Sequence, residues 1–132
     1  MESYLSEEQI KAFREKLLER KEALRKAIGE ALLKSDDERY IELAGQVHDL
    51  EEASVADLLV DLNYAVVDHF LQEMKEVEAA LQRIAEGSYG TCVACEGPVG
   101  IERLKAYPTA RRCVECQQLY EKTHRQPGSP SL

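Results

Sequence analysis

Residues 89–95 read Y-G-T-C-V-A-C and residues 112–116 read R-C-V-E-C, and these two stretches decide the fold. Each contains one C-x-x-C pair, and seventeen residues separate the pairs. The four cysteines are Cys92, Cys95, Cys113 and Cys116. This spacing is typical of sites that close around one tetrahedral zinc ion, and four thiolate ligands leave no position for water or substrate. We therefore predict one structural zinc and no catalytic metal.

Two C-x-x-C pairs also occur in redox enzymes, in iron sites and in disulfide-bonded proteins. Redox pairs usually begin a helix that follows a strand, and this sequence has no βαβ pattern. Residues 1–20 lack the charged start and apolar run of a signal peptide, and no stretch is long enough to span a bilayer. We expect a cytoplasmic protein without membrane contact. Disulfides are disfavoured in the reducing cytoplasm. Iron stays as the alternative to zinc.

The composition restricts the function. The chain of 132 residues carries 25 acidic against 17 basic side chains, a formal net charge of −8 that repels phosphate backbones. This charge argues against DNA as the ligand and favours a basic protein surface. Two Phe, no Trp and 32% charged residues leave little apolar bulk for a deep pocket. We expect a single structural unit that is not an enzyme.

The first half of the chain predicts a long helix that begins near Glu7. Ser6 and Gln9 have the spacing of a capping box just before the apolar pattern. Apolar residues then recur every three or four positions, as in a coiled-coil seam, with Lys21 as a polar exception. The seam consists of Ile10, Phe13, Leu17, Leu24, Ile28 and Leu32. A second possible capping box from Ser35 to Glu38 predicts a kink or restart before the helix runs to about residue 45.

A second seam predicts a returning helix from Leu50 to Glu86, with Gly87 just beyond its end. Neither helix could bury its seam alone, so the two should pair across a loop at 45–49. Each arm should contain about 35 residues and be about 50 Å long. The predicted fold is all-α: a long antiparallel coiled-coil hairpin, a four-cysteine zinc finger and a C-terminal helix. The hairpin is predicted to span residues 1–87, with an acidic tip near 45–54. The zinc finger and C-terminal helix follow at 88–125, and residues 126–132 are predicted to be a disordered tail.

The zinc-finger half of the chain resembles a known family. Residues 90–95 read G-T-C-V-A-C, residues 100–110 read G-I-E-R-L-K-A-Y-P-T-A, and the second cysteine pair follows. With a long hairpin in front, this pattern is similar to the DksA/TraR zinc-finger regulators of bacterial RNA polymerase. The resemblance implies a monomeric regulator of initiation whose hairpin enters the secondary channel of the polymerase without contacting DNA. It also implies that the zinc module and C-terminal helix rest on the channel rim, with Arg103 as a candidate contact.

The family carries a D-x-x-D-x-A motif at the hairpin tip, close to the polymerase active site. Counted back from the first cysteine, it falls on residues 49–54, D-L-E-E-A-S, here named the tip segment. Asp49, Glu52 and Ser54 are the candidate tip residues. Glu for Asp keeps the charge but lengthens the side chain, and Ser for Ala adds a hydroxyl. Asp49 and Glu52 also have the spacing of a capping box for the second helix, which would make them structural.

Family members of the DksA type bind guanosine tetraphosphate, together with the polymerase, through basic side chains. Placed by distance from the cysteines, those positions fall on His69, Glu76 and Gln117, none of which is a fixed cation. A tetraphosphate needs charge-assisted contacts from Lys or Arg, and a carboxylate at Glu76 would repel it. The sequence therefore predicts that this alarmone site is not completed.

Two other functions fit the same pattern. In a factor like the Gre proteins, tip carboxylates would help the magnesium of the polymerase cleave a backtracked transcript. In a coiled-coil adaptor, the zinc module would be a structural knob and no polymerase would bind. A transcript-cleavage assay and a polymerase pull-down distinguish these functions from regulation of initiation.

Overall fold

The computed structural model describes residues 4–50 and 53–124. The described part is helical and contains one isolated antiparallel bridge, between Thr91 and Pro98, but no named strand. Its helices are α1 (Glu7–Leu33), α2 (Glu38–Asp49), α3 (Val55–Leu58), a 3₁₀ turn (Ala65–Val67), α4 (Asp68–Glu86), α5 (Ile101–Ala106) and α6 (Val114–Thr123). The all-α class and the C-terminal helix are confirmed. The predicted disordered tail, 126–132, lies outside the described residues.

Helix α1 begins at Glu7, as predicted. The Gln9 N–H donates to Ser6 Oγ at 3.1 Å, and the Ser6 N–H donates to Gln9 Oε1 at 2.9 Å, so the capping box forms in both directions. The buried face of α1 consists of Phe13, Leu17, Leu24, Ile28 and Leu32. These residues belong to the predicted seam, which is therefore confirmed as the core face of the helix.

The predicted restart after α1 is confirmed, but the assignment of Ser35 as its cap is wrong. Asp37 has the extended backbone of an N-cap, and its carboxylate accepts from the Arg39 N–H at 2.9 Å. The Ser35 hydroxyl instead accepts from the Asp37 N–H at 3.0 Å in the preceding turn. Helix α2 continues to Asp49, beyond the predicted end near 45, since one glycine inside a helix costs only about 1 kcal/mol.

The continuous second helix predicted from Leu50 to Glu86 is wrong. Among the described residues of this range, only α3, the 3₁₀ turn and α4 are helical. Residues 59–64 leave the helix although residues 50–86 contain no Gly or Pro. Helix α4 ends at Glu86 as predicted, with Gly87 left-handed at φ +80°. The paired arms, α1 with 27 residues and α4 with 19, are therefore shorter than the expected 35.

Helix α1 lies at the centre and packs against both α2 and α4. Near its start, Phe13 faces the Tyr89 ring at 5.7 Å, just beyond the end of α4, and farther along α1 Arg20 pairs with Glu73. Helix α4 is therefore antiparallel to α1, as the hairpin prediction requires. Helix α2 folds back along α1 as well, because Arg25 contacts carbonyls in the last turn of α2.

The start of the chain and the end of α4 attach the zinc module to the helices. The Tyr4 hydroxyl donates to the Gly90 carbonyl at 2.9 Å and accepts from the Gly100 N–H at 3.0 Å. Gly90 has φ +88°, and a Cβ there would lie 2.7 Å from Leu5 Cδ1, so a larger residue would strain the backbone and displace the Leu5 side chain. The buried Tyr89 hydroxyl donates to the Pro108 carbonyl at 2.7 Å. No helix in the described ranges is long and apolar enough to cross a membrane.

Replacing Tyr4 by Phe should lower the free energy of unfolding by about 1 kcal/mol, because two backbone groups lose their shared hydroxyl partner. The measurement is equilibrium urea unfolding of the full chain. Tyr107→Phe is the matched control, since Tyr107 is exposed and makes its ring contact without the hydroxyl. Equal unfolding free energies for the two variants would contradict the role of Tyr4.

Candidate metal centre and partner surfaces

The four cysteines predicted to bind zinc come together in space. Their Sγ atoms all lie within 4.8 Å of one another, and Cys95 Sγ is 4.0 Å from Cys113 Sγ. A tetrahedral site with Zn–S bonds of about 2.3 Å has sulfur–sulfur edges of about 3.8 Å. All four side chains are free thiols, so the disulfide alternative does not apply. The cluster therefore has the ligand type, number and spacing of a closed tetrahedral site.

Tight turns on both sides position the sulfurs. The Cys92 N–H donates to the Gly97 carbonyl at 2.7 Å, and the Glu96 N–H donates to the Cys92 carbonyl at 3.0 Å. Glu96 has φ +64°, a left-handed conformation that is uncommon outside glycine. The second pair is placed by α6, because Cys113 is its N-cap residue. The Val93 N–H joins the two halves by donating to the Arg111 carbonyl at 2.9 Å.

The thiols are electrostatically suited to a divalent cation. Burial raises the pKa of Cys92, but backbone N–H groups of Cys95, Cys113 and Ala94 outweigh it and lower that pKa to about 6. The pKa of Cys116 rises to about 12 because it shares hydrogen bonds with neighbouring thiols, Cys113 first. The thiolate is favoured at Cys92 and opposed at Cys116, so a site with four thiolates requires a central positive charge.

The structure does not place the described residues of the tip segment, 49–50 and 53–54, at the far end of the helices. Asp49 is the last residue of α2 and is exposed, so its predicted role as an N-cap is wrong. Ser54 caps α3, with its hydroxyl accepting from the Asp57 N–H at 2.9 Å. Glu52 lies outside the described residues. The far end is formed instead by the turn between α1 and α2 and by the Tyr40 and Tyr64 rings, 4.8 Å apart.

Arg103, the candidate rim contact, lies in α5 and is half-buried. Its Nε donates to the Arg112 carbonyl at 2.9 Å, and its guanidinium lies 5.6 Å from the centre of the Tyr107 ring. The Arg112 guanidinium stacks on Tyr120 at 3.8 Å. Both arginines therefore help to hold the module together, whatever else they contact.

Two of the three predicted alarmone positions lie together. Glu76 and Gln117 line a cleft of about 550 Å³ between α4 and the zinc module, while His69, exposed at the start of α4, does not line it. The same cleft contains the cations Lys75, Arg103, Arg111 and Arg112. None of the three aligned positions carries a fixed cation, but four basic side chains surround Glu76 and Gln117.

Three contributions were not predicted from the sequence. Tyr4 docks the module through contacts with glycines more than 80 positions away, which no local pattern signals. Arg25 binds carbonyls just before the tip segment, and Glu78 binds Ser54 at its end. Each resembles an ordinary charged residue on a helix surface, and only their spatial neighbours distinguish them.

Comparison with known proteins agrees with this architecture. Residues 87–122 match the prokaryotic dksA/traR C4-type zinc finger. The RNA polymerase-binding transcription factor DksA of Caulobacter vibrioides is 30% identical over 126 residues, 94% of this chain and 84% of that protein. The DksA of Escherichia coli is 28% identical over 120 residues, 91% of this chain and 76% of that protein.

The solved structure of transcription factor DksA2 from Pseudomonas aeruginosa is also similar, with a TM-score of 0.63 and 28% identity. The similarity covers 93% of this chain and 91% of that one. The four clustered cysteines are the zinc ligands of the matched finger, and with no open position the zinc is structural. Similarity along nearly the whole length, together with this four-cysteine site, makes the chain a member of the DksA/TraR family.

Proposed function

We propose that this chain is a transcription regulator that binds RNA polymerase directly and modulates initiation. The observation that carries the proposal is the similarity to a protein named as an RNA polymerase-binding transcription factor. That protein is 30% identical over 94% of this chain. The net charge of −8 is consistent with a protein partner and opposes direct DNA binding. We expect it to act as a non-enzymatic monomer in the cytoplasm, where the polymerase is.

The proposed binding mode follows the family. The tip segment, with Asp49, Glu52 and Ser54, enters the secondary channel, and the zinc module rests on the rim with Arg103 facing the polymerase. The acidic tip suits a site whose chemistry depends on magnesium, since carboxylates near a metal alter its coordination and charge. Arg103 keeps guanidinium N–H groups beyond the Nε that binds the Arg112 carbonyl, and these are available to a carboxylate on the rim.

The test is capture of purified polymerase by the immobilised, zinc-loaded chain, followed by multi-round transcription at a ribosomal-type promoter. We expect retention of polymerase, no retention of promoter DNA alone, and a change in transcript yield that depends on the concentration of the chain. Failure to retain polymerase would favour the adaptor function. Faster transcript cleavage in stalled elongation complexes, without an effect on initiation, would favour the Gre-like function.

We also expect guanosine tetraphosphate not to act through this chain. Glu76 places a negative charge in the cleft at a position where the family is basic, and Arg103 and Arg112 are already bound to a carbonyl and a ring. The other two cations of the cleft, Lys75 and Arg111, do not occupy the three positions that the family uses. Adding the alarmone to transcription reactions, with polymerase that lacks its other alarmone site, should therefore change the yield less than twofold, since like charges weaken binding. A stronger effect that requires this chain would contradict the prediction.

A variant with reversed charge in the cleft tests whether the missing cations explain the absence of an alarmone response. Glu76→Lys with Gln117→Lys adds two cations where the family has basic residues, and should create an alarmone response. Glu121→Lys with Gln118→Lys is the control, because it makes the same change in net charge on exposed positions of α6 that do not line the cleft. Equal responses from both variants would assign the effect to overall charge.

A further inference from the structure

The start of α3, from Ser54 to Ala56, is fixed against the side of the α1–α4 pair. Glu78 on α4 accepts from the Ser54 hydroxyl at 2.6 Å, from the Val55 N–H at 2.9 Å and from the Ala56 N–H at 3.3 Å. Lys21 on α1 lies 3.5 Å from the same carboxylate. The side chains of Lys21 and Glu78 are only 16% and 14% exposed, so this ion pair is shielded from water. The one polar residue in the predicted seam of α1 therefore serves this contact.

The residues just before the tip segment are held by Arg25. Its Nη1 donates to the Val47 carbonyl at 3.1 Å and to the His48 carbonyl at 2.6 Å, while its other nitrogens bind Glu22. The described residues that flank the gap at 51–52, His48 and Ser54, consequently both lie beside the middle of α1. From Lys21 to the end of α1 at Leu33 is a distance of about 18 Å along the helix axis.

The sequence is compatible with a longer hairpin. Residues 50–86 contain no Gly or Pro, and apolar residues keep a spacing of three or four through the non-helical stretch. That part of the seam consists of Val55, Leu59, Leu62, Val66 and Phe70. Val66 is nevertheless 53% exposed, so the folded-back arrangement leaves a seam residue uncovered. Tertiary contacts, rather than helix-breaking residues, interrupt the second arm.

We propose that Glu78 and Lys21 are positioning residues that hold the tip segment in a folded-back state. When they release it, α1 joins α2 and α3 joins α4, and the tip segment becomes the apex of an extended hairpin. An arm from residue 7 to residue 49 is about 65 Å long, against about 40 Å for α1 alone. The conformational change is a property of the free chain and does not depend on polymerase binding. Its role in placing the tip in the polymerase rests on the proposed function.

The exchange conserves apolar burial. Val47, Val55 and Leu59 are buried against the α1–α4 pair in the folded-back state. In the extended state their two helices face each other, so these side chains bury one another. The polar contacts to Glu78 and Arg25 belong to the folded-back state, and for this reason a single carboxylate can control the equilibrium.

Small-angle X-ray scattering and far-UV circular dichroism on the zinc-loaded chain test the proposal without polymerase. Glu78→Ala should raise the maximum dimension by up to about 24 Å and add roughly a tenth to the helix content, as residues 34–37 and 59–67 join the helices. Glu73→Ala is the matched control, since it removes an ion pair between α1 and α4 that does not touch the tip segment. The control should keep the dimensions of the unsubstituted chain.

Ser54→Ala decides the outcome if Glu78→Ala fails to fold, because it removes a single hydroxyl at the edge of the helices and should produce a smaller shift in the same direction. Unchanged dimensions and helix content in the folded variants would overturn the proposal. A purely stabilising role for Glu78 would lower the melting temperature without lengthening the molecule.

Polymerase binding adds a separate readout. Glu78→Ala should bind roughly threefold to tenfold more tightly than the unsubstituted chain, because less of the protein has to be opened. Lengthening of Glu78→Ala without any polymerase binding would refute the proposed function and leave the folded-back state standing. Binding that is equal for Glu78→Ala, Glu73→Ala and the unsubstituted chain would overturn the link between release of the tip and the polymerase.

Discussion

Replacing Cys113 by Ser should remove the zinc and unfold residues 89–120, while α1, α2 and α4 keep most of their helix. The metal contributes on the order of 10 kcal/mol to folding such a segment. Cys113 is a ligand and also the N-cap residue of α6, which has no fully buried side chain among its residues. Without the metal, little apolar burial is left to hold α6 in place. Most buried residues of the shared core lie on the helices, so the helices should keep most of their packing without the metal.

Metal analysis and hydrogen exchange measure this effect. We expect one zinc per unsubstituted chain, less than a tenth of that for Cys113→Ser, and loss of protection confined to residues 89–120. Ala94→Ser is the matched control, because it adds a hydroxyl between the first two ligands at an exposed position without removing a sulfur. Iron in place of zinc, or a metal-free chain with a protected module, would contradict the assignment.

The zinc site was predictable because its information is local. Two C-x-x-C pairs fix the ligand type, number and spacing, and the turns that aim the sulfurs lie within a few residues of each pair. The start of α1 was predictable for the same reason, since Ser6 and Gln9 bond to each other across one turn. Such signals do not depend on the path of the rest of the chain.

The folded-back path of α2 was not predictable, because periodicity reports which residues are buried and not which helix buries them. The seam from Val55 to Phe70 fits a partner in an extended hairpin as well as it fits the flank of α1. The residue that distinguishes the two arrangements, Glu78, looks like the exposed Glu76 two positions before it. Its bonds to Ser54, 24 positions away, appear only in three dimensions.

Replacing Asp49 by Asn and Glu52 by Gln together should abolish the effect on transcription and leave polymerase affinity within about threefold. The amides keep the size of the side chains and remove only the charge. Asp49 is exposed at the end of α2 and caps no helix, so its substitution should not affect the fold. Charge at the tip is expected to act on the reaction rather than on binding, which uses the larger surfaces of the hairpin and the zinc module.

The matched control changes the same two residue types at the turn between α1 and α2, with Asp36→Asn and Glu38→Gln. Both side chains are exposed, and in the folded-back state this turn, rather than the tip segment, lies at the far end of the helices. If the tip acts from an extended hairpin, the control keeps full activity in multi-round transcription and the tip variant loses it. Loss of activity in the control, with an active tip variant, would mean that the folded-back chain itself enters the channel. The paired variants therefore test the tip residues and identify which end of the hairpin reaches the polymerase active site.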